Sequence, residues 1–168
     1  MNEQAIVSKM HEYLHSATKE LCAWLGKMLP RVGEDWWQVC VLDNLSFVQR
    51  QYAGENGYSK LEDFDLAALL RVADKSWYDM RSFAFLPTRD RQCVRDMMKV
   101  RNNWAHLSGA IADKDVVLRD VDTILSFFIQ TSSIQQLCHL IAGYYYTRQI
   151  CMIRSVILVD IGTVRLRK

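Results

Sequence analysis

"TRDRQCVRDMMKVRNNWAHLSG", residues 88–109, is the stretch that decides the fold. Cys93, Met97, Val100, Trp104 and Leu107 recur three or four apart, so a helix would set them on one apolar stripe. The spacing predicts a helix over about 89–108, with Thr88 as its N-cap and Gly109 as its stop. Asn102 and His106 are four apart and share a second face, roughly 140–180° from the stripe. Arg95 and Lys99 lie near that polar face. Arg101 sits on the flank beside Met98 and Ala105, and it diverges from His106 by about 140° around an ideal helix. One short segment therefore carries a fixed cation, a titratable base and two amides.

Further helices surround this one. Upstream, Ile6, Met10, Tyr13, Leu14, Ala17, Leu21, Leu25 and Met28 keep helical spacing through 2–29, and Pro30 and Gly33 end the run. A second helix is expected from Glu34 and Asp35 to about Tyr52, through Trp36, Trp37, Val41, Leu45 and Val48. "GENGYS" (54–59) reads as a loop. A third helix should begin near Asp63 or Asp65 and carry Leu66, Leu69, Leu70, Trp77 and Met80, broken by "FLPTRD". Downstream, 112–130 gives a fifth helix and 132–150 a sixth. "SVILVDIGTVRLRK" (155–168) is β-branched and roughly alternating, the pattern of a short strand or extended tail. The expected fold class is all-α, an up-and-down bundle of about five to six helices. The expected division is a helical domain over 1–134 and a C-terminal helix and tail over 135–168, whose role is left open.

Composition sets limits. Half of the 168 residues are hydrophobic, enough for a substantial core at this size. Two prolines and seven glycines favour helix over sheet. A formal charge of +2 gives no argument for nucleic acid by itself. Five cysteines without a C-x-x-C read as buried, reduced thiols of a cytoplasmic protein, not a disulfide frame or zinc ribbon. The first 20 residues are amphipathic and lack the apolar core of a signal peptide, and no stretch reads as a membrane span.

The residue types of 101–106 suit one chemistry. Histidine exchanges a proton near neutral pH. Arginine is a permanent planar donor matched to phosphate oxygens. Asparagine can hold an imidazole or a phosphate without adding charge. Together they fit RNA cleavage, with the base taking the 2′-hydroxyl proton and the arginine stabilising charge on the phosphoryl oxygens. No metal or other cofactor is expected. Spacing alone still favours a plainer account, a surface arginine and a helix-end histidine beside the dipole. The divergence of Arg101 and His106 leaves three routes to a shared site: a distorted helix end, an arginine that reaches around, or a second copy of the chain.

"RNNWAH" resembles the R-x4-6-H motif of the HEPN superfamily, in which a polar residue follows the arginine, as Asn102 does here. "LPRVGEDWWQVCV", "DLAALLRVADKSWYDM" and "MMKVRNNWAHLSG" resemble, in the same order, the branch also found attached to a eukaryotic nuclear RNA-quality-control endoribonuclease and to many bacterial proteins. The resemblance covers roughly residues 24–130. It implies an all-α bundle and a metal-independent endoribonuclease that dimerises so that both motifs line one cleft. It carries Arg101, Asn102 and His106 over as catalytic residues. Arg95, Lys99 and Asn103 are candidate substrate-binding residues beside them. The implied partners are RNA and a second copy of the chain, with an inhibitory or effector protein as a further one and no membrane. The alternative is a catalytically silent module of the same fold that binds RNA or a protein. A third reading is a toxin-like or antiviral nuclease held in check by a partner.

Other features have plainer readings. Trp37, Trp77 and Trp104 are assigned to packing in preference to base stacking, with one of Trp36 and Trp37 buried and the other at its edge. Arg71, Asp74 and Lys75 are expected on a solvated face with weak ion pairing. "HEYLH" (11–15) matches the zinc-protease helix motif, but no sheet accompanies it and His11, Glu12 and His15 fall on the polar side of their helix. His139 reads as a core or interface histidine, and the basic end of the chain as solvated.

Overall fold

A computed structural model describes residues 3–106 and 114–131. Their helices are α1 (Glu3–Met28), α2 (Phe47–Glu55), α3 (Leu66–Lys75), α4 (Trp77–Arg81), α5 (Thr88–Ala105) and α6 (Lys114–Thr131). The all-α expectation holds across these residues. The helix expected over 132–150, the strand-like tail, Leu107, Gly109, Cys138, His139, Cys151 and the basic end lie outside the described residues.

Four helices form a closed ring of neighbours, α1 on α3, α3 on α5, α5 on α6 and α6 on α1. Each contributes an apolar stripe at helical spacing. Met10, Ala17, Leu21 and Leu25 come from α1, Leu69, Leu70, Val72 and Ala73 from α3, and Met97, Val100 and Trp104 from α5. Val117, Val121, Ile124 and Phe128 complete the core from α6. Cys22, Cys40 and Cys93 are buried free thiols. Burial, with Asp96 and Asp90 nearby, pushes the Cys93 thiol up to about 11. Among the described residues no helix is long and apolar enough to cross a membrane.

The expected second helix is broken. In place of one run from Glu34 to Tyr52 there is a π-type turn (Trp37–Val41), a 3-10 turn (Leu42–Asn44), and then α2. Leu45 is extended, with ψ 155°. Ser46 then restarts the chain with a capping box. Its hydroxyl accepts the Gln49 N–H at 3.2 Å, and its own N–H donates to Gln49 Oε1 at 3.0 Å. Both Trp36 and Trp37 end partly buried against the core and meet edge to face at 5.6 Å, so neither is fully inside.

The third helix is likewise two pieces, α3 and α4. Ser76 between them is fully buried. Its hydroxyl donates to the Cys40 carbonyl at 3.0 Å and accepts from the Asn44 amide at 3.0 Å. These bonds tie the break in α3–α4 to the irregular turn before α2. In α5, Thr88 is the first helical residue, not the cap. Pro87 occupies the cap position without a side-chain hydrogen bond, and its fixed φ suits entry into a helix.

Asp74 also departs from expectation. It sits on no solvated face. Its carboxylate accepts from Arg91 Nε and Arg95 Nε, each at 2.8 Å, and Arg91 also donates to the Asp74 carbonyl at 3.1 Å. Burial alone would raise the Asp74 pKa, but the two arginine bonds outweigh it and hold the carboxyl below its ordinary value. Arg71 donates to the Asn44 carbonyl at 2.8 Å. The pattern missed these partners because they lie 17 to 27 residues away in sequence.

Candidate functional site

The candidate residues occupy the last turns of α5. The stripe of Cys93, Met97, Val100 and Trp104 is buried, which fixes the rotation of the helix about its axis. Trp104 adds a second constraint. Its indole N–H donates to Asp120 of α6 at 2.8 Å, inside the core. With that rotation set, Asn102, Asn103 and His106 are exposed and Arg101 is partly buried on the flank.

Arg101 meets two acceptors. Nη2 donates to Asp65 Oδ2 at 2.8 Å, and Nη1 donates to Asn102 Oδ1 at 3.3 Å. The guanidinium therefore leans toward Asn102, whose face also carries His106 one turn later. Met98 beside it is partly buried against the core and Ala105 is exposed, so the flank shows less apolar surface than the sequence suggested. His106 is the C-cap of α5, with φ −111° and ψ 18°, and its backbone N–H closes the helix on the Asn102 carbonyl at 3.2 Å. Its imidazole has no hydrogen-bond partner among the described residues. It stands at the helix end where carbonyls carry partial negative charge.

Asp65 was legible only as the start of a helix. It is the N-cap of α3, where Oδ1 accepts the Ala68 N–H at 2.9 Å. Its neighbours Phe64 and Leu66 are buried on either side. Phe64 packs between Tyr58 at 5.2 Å and Trp37 at 6.1 Å. Tyr58 is itself set by the end of α2. Gly57 takes a positive φ of 64°, and the Tyr58 N–H reaches back to the Ala53 carbonyl at 2.9 Å. A chain of local turns thus delivers one carboxylate to Arg101.

The neighbouring cations are engaged within the chain. Arg95 is held by Asp74, and Lys99 donates to Asp96 at 2.8 Å, one turn earlier on its own helix. Lys99 is largely exposed, so its pair is weak and a phosphate could displace the carboxylate. Asn103 is exposed at the same end. The structure therefore brings Arg101 and Asn102 together and leaves His106 open beside them. Such a set can offer N–H donors to an anion and a nitrogen base to a nearby hydroxyl.

On α1, His11 and His15 are exposed. Glu12 between them accepts from Lys9 at 2.9 Å. Trp77 and Trp104 are 3% and 4% exposed and belong to the core.

A family model described as Swt1-like HEPN matches residues 12–132, well over half of the chain. No curated protein and no solved structure matches.

Proposed function

The chain belongs to the Swt1-like HEPN family, and on that premise we propose that it is a metal-independent endoribonuclease working as a homodimer. The observation that carries the reading is the intact set of Arg101, Asn102 and His106 at the accessible end of α5, with the guanidinium already turned toward Asn102. His106 takes the proton of a ribose 2′-hydroxyl. The freed oxygen attacks the adjacent phosphorus, the bond to the 5′-oxygen breaks, and the departing 5′-oxygen takes up a proton supplied by the imidazolium or by water. The products are a 2′,3′-cyclic phosphate and a 5′-hydroxyl. Arg101 stabilises the charge gathering on the phosphoryl oxygens, and Asn102 helps hold the guanidinium in place. A second protomer places its own motif across the cleft, which resolves the divergence of Arg101 and His106 on one helix.

His106→Ala should abolish cleavage of single-stranded RNA in the presence of EDTA, with the circular dichroism spectrum unchanged. Arg101→Lys should lose about a hundredfold in kcat/KM, because a point charge cannot replace the planar fork. Equal cleavage by wild type and His106→Ala would remove the reading. One observation favours a silent module that binds a protein partner instead: Arg95 and Lys99 are paired within the chain and contribute little free positive charge for a phosphate backbone. That module would neither shift the RNA in a gel nor cut it, with or without His106.

A further inference from the structure

We propose that Asp65 is the positioning residue for Arg101, fixing the guanidinium in a phosphate-ready orientation before RNA arrives. The inference rests on the nuclease reading of Arg101 and adds to it a residue from a different helix, 36 positions away.

The two carboxylate oxygens of Asp65 have separate tasks. Oδ1 caps α3 through the Ala68 N–H, and Oδ2 takes Arg101 Nη2. The main chain beneath is anchored by buried Phe64 and Leu66. The main chain at Asp65 is therefore placed by the core, and the cap bond to the Ala68 N–H restrains the carboxylate, which is itself 58% exposed. An arginine side chain is long and rotamer-rich, so holding it in advance removes an ordering cost from the step that binds the transition state. Arg101 is 26% exposed at its side chain, so it is held without being hidden. Two of its N–H groups are used by Asp65 and Asn102, and the others, Nε–H among them, have no partner among the described residues and can meet phosphate oxygens.

The same pair could instead act as a resting gate, with Asp65 competing against phosphate for the guanidinium. The cap argues against this. A gate must swing away, whereas this carboxylate is tied by its other oxygen to the first turn of α3.

The test uses the division of labour between the two oxygens. Asp65→Asn keeps a cap of equal quality, since asparagine and aspartate cap alike, but turns an amide N–H toward Arg101. Cleavage of a fluorophore–quencher single-stranded RNA of mixed sequence is measured alongside Tm and the ¹⁵N side-chain NMR signals of Arg101. The expected result is kcat down by about tenfold or more, KM within about threefold, and Tm within about 2 °C of wild type. The Arg101 Nη signals should be separate and slowly exchanging in the wild type and averaged in the variant. An unchanged kcat overturns the assignment, and a raised kcat or lowered KM replaces it with the gate. A wild type that does not cleave overturns the nuclease reading. The Asp65 assignment then falls if the Arg101 guanidinium rotates freely in the wild type, and the hold stands if it does not.

Discussion

Asp120 shows how one residue in the core sets both stability and its pH dependence. The residue is 4% exposed. Burial raises its pKa, and the Trp104 N–H and nearby Arg119 only partly offset this. In the unfolded chain the group titrates near its ordinary value of about 3.9. Between that value and the raised native one, the folded state binds more protons than the unfolded state. Stability from this group is therefore greatest at low pH and is lost as pH rises through the native pKa. Asp120→Asn should stabilise the protein at neutral pH and should flatten the pH dependence of Tm over that window. Asp120→Ala, which strands the buried indole donor, should cost about 1–3 kcal/mol by urea denaturation. Asp74 has the opposite sign. Its pKa is lowered, so its contribution is full above about pH 4 and is lost as pH falls through the native value. The two carboxylates thus lean in opposite directions as the solution is acidified, and double-variant pH curves would separate them.

Between elements, the charged contacts join α3 to α5 at both ends. Asp65 at the start of α3 takes Arg101 near the end of α5, and Asp74 near the end of α3 takes Arg91 and Arg95 near the start of α5. The two helices are therefore antiparallel. Asp74→Ala would leave Arg91, 16% exposed at its side chain, without its carboxylate. The expected loss is about 2 kcal/mol by chemical denaturation, less than for a fully buried pair because Arg95 stays half in water. Much of this level was legible in the sequence. The stripes of α1 and α5 repeat at helical spacing over many turns, and each buried face was readable residue by residue. The break before α2 was not read, although Ser46 and Gln49 carry the S-x-x-Q signature of a helix start. Trp37, Val41, Leu45 and Val48 continue the helical period across that point, and periodicity alone favoured one helix. The candidate set Arg101, Asn102 and His106 was legible as a short motif, because its members lie within one turn and a half of each other and resemble the R-x4-6-H pattern. Asp65 and Asp74 could not be matched to their arginines, since that pairing is set by packing of helices distant in sequence.

For the molecule as a whole, the proposed composite site makes a distinctive demand. Arg101→Ala and His106→Ala should each be inactive alone. If the cleft takes an arginine from one protomer and a histidine from the other, equal mixing after subunit exchange creates heterodimers with one intact site. Activity should then return to about a quarter of wild type, since about half of the dimers are mixed and each has one good site of two. No recovery would place both groups in one chain. Sedimentation of the same mixture reports whether dimers exist at the assay concentration. The double fastening of α3 to α5 has a further consequence. The carboxylates at 65 and 74 are about 14 Å apart along one rod, and the arginines they hold span about 9–15 Å along the other. Slipping either rod by one residue would shift the match by about 1.5 Å and swing it through about 100°. The shorter rod is thus a ruler for the longer one, gauging where its last turn must come to rest.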